Sequence, residues 1–240
     1  DVLEAMARTK SSAADYDAAQ QFHARAIAQS PDNPLFYRSF AETLLKARQH
    51  QKAHQITAEG LKRFPHEQGV MALHTTSQRL TGDDRYTKWA DFLTIPKVMQ
   101  ISPPPGYPDI GALFQNQSPI LQQFIVQLRK SISQFIAEMP QDTSHPFFGR
   151  AKPDFDFAGS WSVRLSTGGF HTNHFHPAGW ISSAFYVSVP KALPDQAKEA
   201  AWLKFGETNL ELGDREVIHR LVQPKVGHLA LFPSYFWPGT

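Results

Sequence analysis

The chain contains no cysteine among its 240 residues. Disulfide bonds, thiolate metal ligands and a cysteine nucleophile are therefore excluded, and the composition fits a reducing, cytoplasmic compartment. The chain also has no apolar run near the roughly 18 residues that a membrane span needs, and residues 1–20 lack the apolar core of a signal peptide. We therefore expect a soluble protein with no membrane partner.

A surplus of either charge is likewise missing, because 24 Lys and Arg stand against 22 Asp and Glu. Nucleic-acid-binding domains carry a basic patch or stripe, so the sequence predicts no nucleic-acid partner. Apolar residues make up 41% of the chain. This is enough for a sizeable core, which excludes a disordered or fibrous protein.

Proline and glycine are scarce in the first 95 residues, since 15 of the 18 prolines and 11 of the 14 glycines lie beyond that point. The first part is rich in residues that favour helix, whereas the later part has the aromatic, interrupted texture of short strands and turns. The composition predicts a helical domain over 1–95 and a strand-rich domain over 96–240. The predicted fold class is α+β.

The helical part repeats itself at a spacing of 34 residues. The matching pairs are Ala19 with Ala53, Phe22 with Ile56, Ile27 with Leu61, and Pro31 with Pro65. This period, with its small residues and prolines, resembles the tetratricopeptide repeat, a helix-pair motif. It predicts helices over 3–9, 15–29, 35–47, 49–63 and 67–80. The alternative is an amphipathic helical bundle whose period arises by chance.

One packing helix and a series of strands are predicted in the second part. Apolar residues recur with a period near 3.6 between residues 120 and 139, which would lay one helix face on a sheet. Strands are predicted over 159–166, 170–176, 181–189, 201–205, 220–224 and 228–232. Short strands of this regularity favour an antiparallel sandwich or barrel such as a jelly roll.

Three of the eleven histidines lie within six residues, at His171, His174 and His176. Residues two apart in a strand share a face, so His174 and His176 would present both imidazoles to one side. Neutral imidazoles bind Fe, Zn, Cu or Ni, and a metal with open positions is a reaction centre. The sequence predicts these two as metal ligands. The alternative is a pair of ordinary strand histidines, and in a regular strand His171 would face the other way.

The segments around these histidines share a pattern with a known family. They are residues 161–164, 168–170, 174–177, 179–187, 204–206 and 224–234. Together they resemble a bacterial family of 2-oxoglutarate- and Fe(II)-dependent oxygenases, whose members often carry tetratricopeptide repeats in front. The resemblance extends over about residues 100–240. It implies a double-stranded β-helix, Fe(II) as the metal and 2-oxoglutarate as co-substrate.

The resemblance also implies hydroxylase-type chemistry, in which 2-oxoglutarate is converted to succinate and CO2 while a C–H bond is oxidised. Such a site needs metal ligands, a cation for the distal carboxylate and a dry apolar pocket. Tyr186 and Ser183 are expected to hydrogen-bond the co-substrate. Trp180, Phe170 and Trp237 are expected to line the substrate pocket.

Two positions depart from the family pattern. His176 stands where an acidic ligand is usual, and residues 157–194 contain no Asp or Glu. Pro238, which cannot bind a metal, stands where the distal ligand His is expected. Because only three residues follow Trp237, we expect no strand there, and we expect the native protein to continue with the distal His and the basic residue that binds 2-oxoglutarate.

Three functions stay open on these residues. One is the dioxygenase, the second is a catalytically inactive barrel that acts as a binding or scaffold protein, and the third is a cupin-like metal enzyme that does not use 2-oxoglutarate. The missing distal ligand favours the second, and a role for His171 would favour the third. Because helical repeats form concave surfaces for peptides, the first domain is expected to bind a peptide or protein.

Overall fold

The computed structural model describes residues 2–83, 113–145, 147–164, 169–189, 199 and 202–240. The α-helices in these ranges are α1 (Val2–Ser12), α2 (Tyr16–Gln29), α3 (Pro34–Lys46), α4 (His50–Arg63), α5 (Gln68–Thr81) and α6 (Pro119–Ala137). The strands are β1 (Ile181–Phe185), β2 (Leu203–Phe205), β3 (Arg220–Val222), β4 (Leu229–Pro233) and β5 (Pro238–Gly239). The predicted α+β class is confirmed.

Helices α1 to α5 form a layered unit that we call the repeat module. Local signals set its boundaries: the Asn33 side chain accepts a hydrogen bond from the Leu35 amide at the start of α3, and Gly82 ends α5 in the left-handed conformation. Each helix packs on its neighbours in sequence, and α3 also contacts α1 and α5. The five helices predicted for this part are confirmed.

The strands form two antiparallel sheets in the second part, which we call the strand domain together with α6. In one sheet β1 pairs with β4, so that Ile181 lies opposite Pro233. In the other the order is β3-β2-β5, with Phe205 opposite both Arg220 and Pro238. Helix α6 packs on the first sheet, since Phe124 contacts Phe185 at 4.8 Å between ring centroids. The predicted packing helix is confirmed.

Residues 171–176, which we call the histidine segment, extend the second sheet. The His174 amide donates to the Pro238 carbonyl at 3.2 Å, and the His176 amide donates to the Ser234 carbonyl at 2.9 Å. The segment therefore runs antiparallel beside the C-terminal residues. It is extended and hydrogen-bonded but does not form the regular strand predicted over 170–176.

Three other expectations differ from the structure or lie outside it. Residues 159–164, the described part of the predicted strand 159–166, form no regular strand. Residues 238–239 do form one, contrary to the expectation that too few residues follow Trp237, because two residues suffice when a partner lies on each side. Residues 84–112 and 190–198 lie outside the described residues. The double-stranded β-helix therefore stays a prediction.

A single apolar core joins the sheets and the repeat module. Phe205 of β2 contacts Phe232 of β4 at 4.9 Å between ring centroids, and both side chains are buried. On the side of the module, the Trp237 indole N–H donates to the Thr76 hydroxyl of α5 at 3.2 Å. The strand domain is thus packed directly against α5.

Candidate metal centre

The second sheet has an inner and an outer face, and side chains alternate between them along each strand. The cross-strand row on one face is His174, Pro238, Phe205 and Arg220. Because Phe205 contacts Phe232 of the other sheet, this face lies between the two sheets, and we call it the inner face. Asn173, Gly239 and Lys204 share the outer face, where a side chain at Gly239 would collide with both neighbours.

The two predicted ligands lie side by side on the inner face. Their ring centroids are 4.8 Å apart with the planes inclined at 58°. The Nδ1 of His174 lies 2.8 Å from the Thr172 carbonyl oxygen, so Nδ1 carries the proton and Nε2 keeps its lone pair. His176 lies between the rings of Trp161, at 5.9 Å, and Phe232, at 6.5 Å.

Burial keeps His176 in the form that binds metals. Burial, and to a lesser degree the charge of His174, lowers the pKa of His176 to about 4. The imidazole is therefore neutral at pH 7. No carboxylate joins the pair: among the described residues, no group of three or more His, Asp or Glu side chains is placed to hold a metal ion.

The third histidine of the cluster also lies near the pair. The His171 ring centroid is 6.4 Å from that of His174. In a regular strand His171 would face the other way, but here its backbone bonds to Thr240 in an irregular ladder. Burial, with the charge of His174, lowers the pKa of His171 as well.

Pro238 is the residue that the resemblance places at the position of the distal ligand. This residue is buried on the inner face directly beside His174. Its carbonyl accepts a hydrogen bond from the His174 amide. The proline ring offers no donor to a metal. Within the described ranges, the residues present thus offer a metal ion two imidazole nitrogens, and no third protein ligand is placed beside them.

The two residues expected to bind the co-substrate, Ser183 in β1 and Tyr186 just after it, lie on opposite faces of the first sheet. Ser182 lies opposite Phe232 and faces the space between the sheets, where its hydroxyl lies 2.8 Å from that of Ser234. Ser183 is exposed and points away from that space. The ladder continues past β1, since the Tyr186 amide donates to the His228 carbonyl, so Tyr186 shares the face of Ser182. Burial raises the pKa of Tyr186 to about 12.

The three aromatic residues expected to line a pocket are not brought together. Trp180 donates its indole N–H to the Phe147 carbonyl at 3.0 Å. Phe170 is 66% exposed. Trp237 is buried against the Phe175 ring and α5, on the outer face. Trp237 thus lies behind the sheet, and the pocket-lining role of these three residues stays a prediction.

Two residues near the pair were not singled out from the sequence. Trp161, 55% exposed, stacks on His176 at an interplanar angle of 19°. Arg220 shares the inner-face row with His174, and its guanidinium has no hydrogen bond or ion pair within the part of the chain that the structure describes. No sequence signal marks Arg220, because its place depends on the order of the strands.

Two family models match the chain. Residues 159–240 match the family described as "Putative 2OG-Fe(II) oxygenase", and residues 12–74 match the family described as "Tetratricopeptide repeat". Both resemblances predicted from the sequence are confirmed, each over its own part of the chain. No curated protein and no solved structure gives a significant match.

One part of the chain is therefore similar to an oxygenase family, and another is similar to a repeat of the kind that mediates protein–protein contacts in general. Within the described ranges, none of the helices is both long and apolar enough to cross a membrane.

Proposed function

We propose that the protein is a 2-oxoglutarate- and Fe(II)-dependent dioxygenase of the hydroxylase type, with His174 and His176 as metal ligands. The observation that carries the proposal is the pair of imidazoles 4.8 Å apart on the inner face of a domain that matches this family. Bound Fe(II) with 2-oxoglutarate would supply oxidative decarboxylation coupled to C–H oxidation.

The surrounding residues orient the ligands and exclude water. The Thr172 carbonyl fixes the tautomer of His174 and so leaves Nε2 as the nitrogen that binds the metal. Trp161 and Phe232 flank the His176 ring and shield it from solvent. A shielded, apolar surround protects a strong oxidant from side reactions.

We further propose that Arg220 and Tyr186 bind the distal carboxylate of the co-substrate. Three strand spacings of about 4.8 Å separate His174 from Arg220, a gap that an arginine side chain and a five-carbon dicarboxylate span together. Tyr186 keeps its proton because burial raises its pKa to about 12, so its hydroxyl donates to a carboxylate. A charge-assisted hydrogen bond from Arg220 would add to this.

Anaerobic titration with Fe(II) tests the metal ligands. We expect the wild type to bind one Fe(II) ion. We expect His174→Ala to bind it at least about 100-fold more weakly, since one of the two imidazole ligands is removed. His66→Ala, which removes an exposed imidazole of the repeat module, is the matched control. Equal affinity in wild type and His174→Ala would contradict the assignment.

An inactive barrel that acts as a scaffold is a second candidate, and Pro238 is the observation that favours it. A site with two protein donors holds metal less firmly than one with three. Release of succinate from 2-oxoglutarate under O2 and Fe(II) separates the two functions. A cupin-like enzyme, favoured by the nearness of His171, would instead show metal spectra that do not respond to 2-oxoglutarate.

The repeat module is proposed to bind a peptide or protein partner. The side of α3 and α5 that carries Arg38 and Gly69 contacts Phe175 of the strand domain, so the partner would bind through α1, α2 or α4. Photo-crosslinkers placed on α2 and on α5 test this placement. Capture from α5 alone would contradict it.

A further inference from the structure

The outer face of the histidine segment lies against the repeat module. Phe175, which separates the two predicted ligands, points away from them because side chains alternate. Its ring tip lies 3.1 Å from the place that a Cβ on Gly69 of α5 would take. The Arg38 guanidinium of α3 lies 5.9 Å from the centroid of the same ring. Phe175 is therefore packed between two helices of the module and Trp237.

A second contact reaches the residue before His174. The Asn173 side-chain amide donates to the Thr208 carbonyl at 3.2 Å. Thr208 in turn donates its amide and its hydroxyl to the Glu216 carboxylate, at 2.8 and 2.6 Å. Glu216 lies 3.9 Å from the Arg79 guanidinium of α5, and both side chains are largely buried. A continuous polar chain thus joins α5 to Asn173.

The loop that carries Thr208 and Glu216 is itself held by the module. Arg79 donates to the Arg215 carbonyl at 2.6 Å. The Arg215 guanidinium donates to the Leu45 carbonyl at the end of α3, at 3.2 Å, and lies 2.7 Å from Nε2 of His50. Three helices of the module, α3, α4 and α5, therefore fix this loop.

The histidine segment has little support of its own. It is not a regular strand, and the neighbouring β5 has only two residues. Its described backbone bonds to the C-terminal residues are one at His174, one at His176 and two at His171. Metal ligands must be held within a fraction of an ångström by the residues behind them. Trp161 and Phe232 contact the His176 ring itself, whereas the backbone that carries both imidazoles is packed on its outer face against the module.

We infer that the repeat module is a positioning element of the metal site, acting on His174 and His176 through Phe175 and Asn173. This inference rests on the proposed function for its chemical meaning. It implies that the side of α3 and α5 that carries Arg38 and Gly69 binds the strand domain of the same chain and not a partner protein. Phe175 and Asn173 are positioning residues, since neither presents its side chain to the metal.

Gly69→Ala tests the inference. A methyl group at this position would lie 2.6 Å from Arg38 Cδ and 3.1 Å from Phe175. The Arg38 side chain, which lies over the Phe175 ring, must therefore shift, and the ring itself must give by a few tenths of an ångström, while alanine itself favours the helix. Gly60→Ala is the matched control, because its methyl group would crowd Tyr37 and Val70 inside the module, each at 3.1 Å.

Two measurements on the full chain separate this inference from the proposed function. Hydrogen exchange of the metal-free protein reports on the His174 and His176 amides, and Co(II) titration reports affinity and the ligand-field spectrum. For Gly69→Ala we expect faster exchange at both amides, about 10-fold weaker Co(II) binding and a changed spectrum. We expect neither change for Gly60→Ala, and partial recovery when Phe175→Leu is added to Gly69→Ala.

Each result decides one of the two claims. Unchanged exchange in Gly69→Ala would overturn the inference, whatever the metal does. A wild type that binds no Co(II) would overturn the proposed function, and exchange would still decide the inference. If Gly69→Ala lost its helical circular dichroism, Phe175→Ala, which alters no residue of the module, would provide the same comparison.

Discussion

The repeat module and the strand domain differ in how far apart in the sequence their contacting residues lie. In the module, each helix packs on the next one in sequence. In the strand domain, the pairs that close the sheets are distant, such as Ile181 with Pro233 and Lys204 with Gly239. Local contacts leave a periodic signal in the sequence, whereas distant ones do not. The helices of the module could therefore be predicted from the 34-residue repeat.

Histidines show the same contrast at the level of single residues. His23 of α2 is fully buried, with Nε2 3.0 Å from the Thr43 hydroxyl and Nδ1 3.3 Å from the Glu4 carboxylate. Nε2 is hydrogen-bonded and Nδ1 faces the carboxylate, so both nitrogens have neighbours inside the module. His174 has one nitrogen bonded to a carbonyl and the other directed to the inner face. The first arrangement stabilises a fold, and the second offers a ligand.

The largest expected effect comes from breaking the buried pair in the module. Burial alone would raise the pKa of Glu4, but hydrogen bonds from His23 and Ser39 lower it below its ordinary value, so the carboxylate is charged and paired. We expect His23→Ala to lower the free energy of unfolding by about 3 kcal/mol, because a buried charge loses its partner.

Urea denaturation measures this change, and His66→Ala, at an exposed position, should stay within about 0.5 kcal/mol of wild type. Metal affinity per folded molecule should not change in His23→Ala. If His23→Ala were as stable as wild type, the contrast between structural and ligand histidines would fail.

Part of the site could be predicted from the sequence because some of its contacts are local. The period-2 alternation of a strand is local, so the pairing of His174 with His176 could be predicted. The row that joins His174 to Arg220 crosses two other strands, β5 and β2, and depends on strand order. The contact between Phe175 and Gly69 joins two domains. Neither leaves a pattern in the sequence.

The second prediction restores a donor at the distal position. Pro238→His would place an imidazole on the inner face beside His174, next to the predicted ligand pair. We expect Co(II) affinity to rise about 100-fold, which corresponds to roughly 2.7 kcal/mol, measured by titration of the metal-free protein. Pro238→Ala, which removes the ring without adding a donor, should show no rise. An equal gain in both variants would mean that relaxation of β5, not coordination, strengthens binding.

The third prediction concerns the cation on β3. Arg220→Leu should raise the 2-oxoglutarate concentration needed for half-maximal succinate release about 10- to 30-fold, the value of roughly 1.5–2 kcal/mol for a charged hydrogen bond. Co(II) affinity in the absence of 2-oxoglutarate should not change. Arg220→Lys, which keeps the charge, should lie between wild type and Arg220→Leu. An unchanged requirement for 2-oxoglutarate in Arg220→Leu would remove this residue from the site.

The smallest effect is expected at the loop that follows α6. Here, unlike in the sheets, the contacting residues of the strand domain are close together in the sequence. His145 Nδ1 accepts the amides of Phe147 and Phe148, at 3.2 and 3.4 Å, and the ring stacks on Phe148. Burial lowers the pKa of His145 below its ordinary value of 6.5, and the charge of Asp142 opposes this only in part.

Because the folded protein binds this proton less readily than the unfolded chain, the stabilising contribution of His145 is complete above pH 6.5 and is lost as the pH falls through the lower folded pKa. We expect wild type to lose up to about 1 kcal/mol more stability than His145→Asn between pH 7 and 5, since asparagine keeps an acceptor but does not titrate. Urea denaturation across this range measures the difference.

Parallel curves for the two proteins would show that the two amide bonds do not depend on a neutral His145. A loss confined to wild type would show that this loop, whose Phe147 carbonyl accepts the Trp180 indole N–H, depends on a neighbour in sequence as the helices of the module do.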